Sequence, residues 1–413
     1  MRGVLILSLL ACVAAKVLYN GDQVLRFTSE DLATRELLRL VGQQHQLKFW
    51  REPERMVGPV DMHVPAHKVT ELKQLLRQYG IEYDVMIDDV QEVIDAQVTP
   101  RLPQLNLAEF DYNKYHTFQE IDQWVTDYTT AHKKHLTKIK VGVTYQNTTF
   151  HAVKISTGGS MKPAFVIDCG IHADEWIGPA TCIHVIKNLT EHKGLTTKVG
   201  KILESVDFYL IPSANPDGYN YTWTKNRLWR KTRSPTSGGC FGVDPNRNWD
   251  VNWSGPGASS DPCNDDYYGP HVWSEANVRS QRDFVNGIPN LHAYIDVHSY
   301  SQLWMFPYSY TFKLAEDYHL LSTIANQSVA AIKDVHGKVY TPGPISKTIY
   351  IASGSTADYF YVHDKLKCVF AAELRDTGKH GMLLPESEIQ PTAEETFAGL
   401  MVIADHVMNG SCM

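Results

Sequence analysis

Four short runs beyond residue 115, A-F-V-I-D-C-G, V-D-F-Y-L-I-P, H-A-Y-I-D-V-H and C-V-F-A-A-E-L, are apolar at successive positions, so a strand built from any of them has no polar face. Such strands need cover above and below, which a sheet with one face in water does not provide. The intervening segments, among them G-P-A-T-C-I-H-V-I-K-N-L and W-S-E-A-N-V-R-S-Q-R-D-F-V, have helical spacing and can provide it. The alternation predicts an α/β unit over 109–413: a mixed central sheet covered by helices on both faces, with the amphipathic helix F-Q-E-I-D-Q-W-V-T-D-Y near its start. In sheets of this kind, polar residues just past the strand ends gather in one crevice.

Three shorter regions precede that unit. Residues 1–15 hold one basic residue, an apolar run to Val13 and the small-residue stretch Val13-Ala14-Ala15, the pattern of a signal peptide. The run is too short to span a bilayer, and no later stretch reaches 18 apolar residues, so secretion is expected and a membrane anchor is not. Residues 16–95 read as a small α+β domain: strand-like K-V-L-Y and D-M-H-V, a helix from T-S-E-D-L capped by Ser29, a second helix closed by Gly80, then strand Y-D-V-M-I and helix D-D-V-Q-E-V-I-D. Residues 96–108 lose periodicity and contain two prolines, so they read as a linker whose Arg101 is open to a trypsin-like protease.

Secretion makes disulfides available. Cys240 and Cys263 bracket a polar, glycine-rich loop that a disulfide would pin, whereas Cys169, Cys182 and Cys368 sit in apolar patterns and read as buried thiols. Cys412, in a polar tail, is left either free or paired with an unidentified partner. Six N-x-S/T sequons permit glycosylation. A formal charge of −7 without a basic block argues against a nucleic-acid partner, and a monomer is the default.

The chemistry-bearing residues fall at strand ends. In G-I-H-A-D-E-W, immediately after F-V-I-D-C, His172 and Glu175 are three apart and can hold one side of a metal ion, although with 18 histidines a chance H-x-x-E is expected about once. His298, closing A-Y-I-D-V, supplies a third ligand and leaves a fourth position open, as in catalytic zinc sites. Asp244 can accept the far N–H of His172. Asn246 and Arg247 offer an amide and a planar fork suited to a carboxylate. The cluster N-R-L-W-R-K-T-R has Leu228 and Trp229 inside it and is consistent with packing on a cleft wall. Glu373, at the end of C-V-F-A-A, is placed to act as a general base, with an ion pair among Arg375 and Asp376 as the plainer alternative.

These motifs, together with V-M-I-D-D-V-Q, N-P-D-G-Y, G-V-D-P-N-R-N-W, D-V-H-S-Y-S-Q, T-I-Y-I-A-S-G, A-A-E-L-R-D-T-G and L-L-P-E-S-E-I-Q-P-T, resemble the pancreatic carboxypeptidase A/B family of metallocarboxypeptidases in its digestive proenzyme form, over about 20–410. The resemblance implies one zinc per chain on His172, Glu175 and His298, Asp244 behind His172, Glu373 as proton shuttle and Arg230 as the arginine facing the oxyanion. It implies Asn246 and Arg247 as the clamp for a peptide's free C-terminal carboxylate and Tyr350 as a mobile phenol closing over it. It also implies that 16–95 is an inhibitory prosegment, removed by cleavage near Arg101, and that the setting is a digestive lumen. Many relatives have arginine directly before the ligand glutamate; Asp174 stands here, and altered subsite preference is expected.

By similarity the departing side chain would meet Ser309, Ile345, Ser355, Thr356, Ala357, Asp358 and Ala371. Basic-specific relatives have aspartate at the position of Ala357, without which a buried lysine or arginine has no counter-charge. Aromatic and large aliphatic C-termini are therefore expected, with basic C-termini as the alternative. A catalytically silent peptide-binding module is the alternative of another class, and the presence of both the triad and Glu373 counts against it.

Overall fold

A computed structural model describes residues 15–28, 31–54, 58–97, 107–159, 161–191 and 197–413. Arg101, Ser29 and all but the last residue of the expected signal peptide lie outside the described residues.

The N-terminal unit is a four-stranded antiparallel sheet of β1 (Gln23–Phe27), β2 (Lys48–Arg51), β3 (Val60–Val64) and β4 (Asp84–Ile87), in the order β2-β3-β1-β4. Period-two alternation sorts its side chains. Leu25, Phe27, Val60 and Met62 pack with Leu38, Leu72 and Leu76 of helices Leu32–Gln44 and Ala66–Gln78. Val24 instead joins Ile87, Val90 and Ile94 against Leu228 and Leu383 of the larger unit. All five residues of β3 are consequently buried, one face under the helices and the other against the larger unit. The first described helix is capped by Asp31, which accepts from the Thr34 N–H. K-V-L-Y is not a strand in either sheet: Val17 donates instead to the backbone carbonyl of Lys225.

Among the described residues the larger unit has eight strands, β5 (Leu136–Val143), β6 (Thr149–Ile155), β7 (Ala164–Cys169), β8 (Asp207–Ile211), β9 (Leu291–His298), β10 (Leu303–Phe306), β11 (Thr341–Pro344) and β12 (Cys368–Glu373). Their order is β11-β10-β12-β9-β7-β8-β6-β5. The core strands β12, β9, β7 and β8 run parallel, while β5, β6 and β10 introduce antiparallel pairs, which makes the sheet mixed. Helix Thr356–Val362 covers the face of β9 that carries Tyr294 and Asp296, through Phe360 and Thr356. Helix Ile389–Met408 covers the opposite face, bringing Gly399 up to the indole of Trp304.

Cys240 and Cys263 are bonded, as expected, and Cys169 and Cys182 are buried free thiols. The reading of Cys368 as a thiol is corrected: it is bonded to Cys412. Helix Ile389–Met408 returns the polar tail to the start of β12, and with a sequence separation of 44 between the two cysteines nothing local announces the pairing. A loop of that length implies about 4 kcal/mol of stabilisation through the unfolded chain. Replacing both cysteines by serine should lower the unfolding free energy by about 3–4 kcal/mol in a denaturant titration; an unchanged midpoint would assign the bond no stabilising role.

Candidate active site

The C-terminal ends of β7, β9 and β12 open on one side of the sheet. After β7 the chain turns at Gly170, whose φ of +72° suits glycine and whose absent Cβ would sit 2.8 Å from Pro179. That turn delivers His172 and Glu175 ahead of helix Ile177–Glu191, and β9 itself ends in His298. The three side chains are buried, and their ligand atoms lie within 4.8 Å of one another. His172 Nδ1 is 2.8 Å from Glu175 Oε1, and His298 Nδ1 is 3.1 Å from both Glu175 Oε2 and His172 Nδ1. Two neutral imidazoles cannot satisfy each other by turning their lone pairs together at that distance. A divalent cation satisfies both rings and the carboxylate, and a buried two-nitrogen, one-oxygen donor set is the set of a catalytic zinc site.

Each imidazole is backed by a carboxylate. His172 Nε2 is 3.2 Å from Asp244 Oδ1, and His298 Nε2 is 2.8 Å from Asp296 Oδ2. Burial pushes the Asp244 carboxyl up, but Arg230, His172 and Arg247 outweigh it and hold the group well below the ordinary carboxylate range. Burial likewise opposes ionisation of Glu175, and the two imidazoles hold it ionised. Arg230 is fixed on Asp244 Oδ2 through Nε at 3.1 Å and Nη2 at 2.9 Å, which aims Nη1 to 3.0 Å from His172 Nδ1. Glu373 closes β12 in ladder register with His298 and lines the same cavity.

Arg247 is buried and held from behind: Nε donates to the Gly257 carbonyl at 2.7 Å, Nη1 to that of Asn246 at 3.0 Å, and Nη2 to Asp266 Oδ1 at 3.2 Å. Asn246 bonds Asp296 through Nδ2 and accepts the Thr356 N–H at 2.9 Å. The Tyr350 ring lies 5.9 Å from the Arg247 guanidinium carbon, and burial raises the phenol's pKa against the lowering pull of Arg247 and Arg230.

Beside these groups is a small pocket. Ile345, Ala357 and Ala371 line it, with Ser309, Ser355 and Thr356. Asp358 is placed differently, behind the wall. Its carboxylate accepts the backbone N–H of Ser309 and Tyr310 and the Ser309 hydroxyl, and burial pushes its pKa up to about 6. Met305, Ile349 and Ala352 add apolar wall that sequence reasoning did not assign. It also missed Asp296, although D-V-H carried the signal: two residues before His298 on a strand means the same face.

Of the basic cluster, Arg230 is the member that reaches the triad. Arg227 lies 3.8 Å over the Trp176 ring and donates to the Asp174 and Met382 carbonyls and to Gln97 Oε1. Lys231 donates to the Pro262 carbonyl, and Arg233 stacks on Tyr221 and Trp229.

The mouth of the site is covered by the N-terminal sheet, leaving a cavity of about 300 Å³ bounded by Lys48, Arg51 and Glu52 on one side and Asp174, Arg230 and Glu373 on the other. The cover is anchored at Asp61, which is fully buried. It accepts both prongs of Arg26 at 2.6 Å and the phenol of Tyr300, two residues past His298, at 2.7 Å.

Comparison with known proteins agrees with this geometry. The family profile described as zinc carboxypeptidase matches residues 121–399, and that of the carboxypeptidase activation peptide matches residues 25–97. The chain is 41% identical over 417 residues to carboxypeptidase A1 of Sus scrofa, covering 99% of each chain. It is 41% identical over 409 residues to carboxypeptidase A2 of Rattus norvegicus, covering 98% of each. The crystal structure of thrombin activatable fibrinolysis inhibitor superposes with a TM-score of 0.87 at 35% identity, covering 95% of this chain and 100% of that one. Carboxypeptidase A from Helicoverpa armigera, at 24% identity, has the same fold, with a TM-score of 0.84 over 95% of this chain and 99% of that one.

Proposed function

The chain belongs to the zinc carboxypeptidase family and carries that family's activation peptide, and from this premise we propose that, once the peptide is cut away, it releases aromatic and large aliphatic residues singly from peptide C-termini. The observation that carries the reading is the register of β9 and β12, which sets Glu373 beside the His172–Glu175–His298 triad.

Bound on that triad, zinc supplies Lewis acidity. Glu373 takes a proton from the attacking water and returns it to the departing amine. Arg230, preset by Asp244, donates to the oxygen on which negative charge develops. Arg247, with Asn246, receives the terminal carboxylate, and Tyr350 closes over it. Because the carbonyls and carboxylate behind Arg247 already fix its fork, little rotamer entropy is lost when the substrate docks.

The preference for apolar termini rests on the wall of Met305, Ile345, Ile349, Ala357 and Ala371 and on the engagement of Asp358 by its own neighbours. One observation favours a second reading, release of lysine or arginine: Asp296 places a carboxylate at the pocket. Against it, Asp296 Oδ2 already serves His298, Asn246 and the Thr356 hydroxyl, which leaves a cationic side chain only the buried Oδ1. A peptide panel differing only in the last residue, read by mass spectrometry after limited trypsin treatment, decides between them. Chelator-sensitive loss of Phe, Tyr, Trp or Leu is expected; preferential loss of Lys or Arg transfers the pocket to the second reading, and no stepwise loss by zinc-replete, processed protein rejects the activity.

We further propose residues 1–15 as a cleaved signal peptide, 16–95 as the inhibitory domain, 96–108 as the activation linker cut near Arg101, and 109–413 as the catalytic domain, acting as a secreted monomer. The cover over the triad, the Asp61 anchor and the two disulfides support inhibition and an oxidising compartment. Among the described residues no helix is long and apolar enough to cross a membrane.

A further inference from the structure

Lys48, at the start of β2, extends its ammonium across the covered mouth to Asp265 of the catalytic unit, 2.8 Å from Oδ2 and 3.1 Å from Oδ1. Asp174 lines the same cavity; it is only 6% exposed, and its Oδ1 has no hydrogen-bond partner. Asp266 lines the cavity as well, but its Oδ1 already serves Arg247. The nearby cations of the catalytic unit make their hydrogen bonds elsewhere, Arg230 to Asp244, Lys231 to the Pro262 carbonyl and Arg227 to backbone carbonyls, and reach Asp174 and Asp265 only through space. Lys48 therefore supplies a positive charge that departs with the prosegment, leaving Asp174 and Asp265 facing the open cleft.

On the exopeptidase reading a substrate's C-terminal residue fills the small pocket lined by Arg247, so the rest of the peptide leaves along this cleft. We propose that Asp174 and Asp265 form an upstream subsite for a cationic side chain, so that the enzyme favours peptides carrying lysine or arginine one to three residues before the residue released. The position of the Lys48 ammonium marks where that side chain would sit. The inference rests on the exopeptidase reading above and adds a substrate class to it. The prosegment does not need Lys48 as its main anchor, since the Tyr300 phenol bonds the buried Asp61, Arg51 bonds the Thr377 carbonyl and Gln97 that of Leu384. The Lys48–Asp265 pair is itself half exposed, with side-chain exposures of 51% and 31%, so the selectivity it supports is modest and salt-sensitive.

The test uses trypsin-activated, zinc-replete enzyme and acylated tetrapeptides ending in Phe, identical except for Lys, norleucine or Glu at each of the three upstream positions in turn. At one position Lys should exceed Glu in kcat/KM by about tenfold and norleucine by about fivefold, mainly through KM, with the advantage shrinking at high salt. Asp265→Asn should remove most of the Lys advantage, and Asp174→Asn part of it, with the norleucine peptide as the internal control for folding. Equal rates for the three peptides would overturn the subsite, as would a Lys advantage that both variants leave intact. Failure of the wild type to release Phe even from the norleucine peptides would reject the exopeptidase reading itself, and the subsite with it.

Discussion

Glu373→Gln is expected to lower kcat by about 10²–10⁴-fold, the usual worth of a positioned general base, while the activated protein keeps its zinc. Glutamine preserves the shape of the side chain at the end of β12 but cannot accept a proton at neutral pH. The triad is contributed by other residues, so metal content by elemental analysis should remain near one per chain, and a substrate-like inhibitor should still bind. That separation of binding from turnover is what distinguishes proton transfer from support of the strand end. If the variant retained wild-type kcat, Glu373 would be structural and the proton shuttle would have to be sought elsewhere; if it lost zinc as well, the defect would lie in assembly of the site.

Arg247→Met should lower kcat/KM toward peptides with a free C-terminus by about 10- to 100-fold, the range expected when a charge-assisted pair is removed. Peptides with an amidated C-terminus, poor substrates from the outset, should lose far less, because they never presented the charge the fork reads. Arg247 also holds the Gly257 carbonyl and Asp266, so a melting curve has to accompany the kinetics. Arg247→Lys keeps the charge without the fork and should fall between methionine and wild type. Equal losses on free and amidated peptides would show that the arginine braces the loop and does not recognise the carboxylate.

The parts of this molecule legible in its sequence are those whose physical requirements are local. β7, β8, β9 and β12 are buried on both faces, and short unbroken apolar runs have few other uses in a globular fold. The flanking strands escaped notice because they lack that signature. L-T-K-I-K-V-G-V and T-F-H-A-V-K-I mix polar with apolar residues, and T-P-G-P at the sheet edge has two prolines. His172, Glu175, His298 and Glu373 stood out because ionisable groups directly after buried strands are costly unless used. What sequence could not provide was partnership over long separations. The Cys368–Cys412 bond, the bracing of Arg247 by Gly257 and Asp266, and the meeting of Lys48 with Asp265 each join residues whose neighbours predict nothing about them. K-V-L-Y shows the converse error: its residues suit a strand, but Val17 finds its partner on Lys225.

The ladder pairing of His298 with Glu373 has a consequence for how such a molecule can diversify. The spacing between His298 and Glu373 is inherited from two adjacent strands in the middle of a packed sheet, where a one-residue slip would turn the side chains to the other face. Arg247, Asp265 and Tyr350, by contrast, lie outside the strands, on connecting segments whose length and composition can drift. Descendants of this chain are therefore free to remodel the rim of the site, while the spacing at the strand ends beneath it keeps its tolerances.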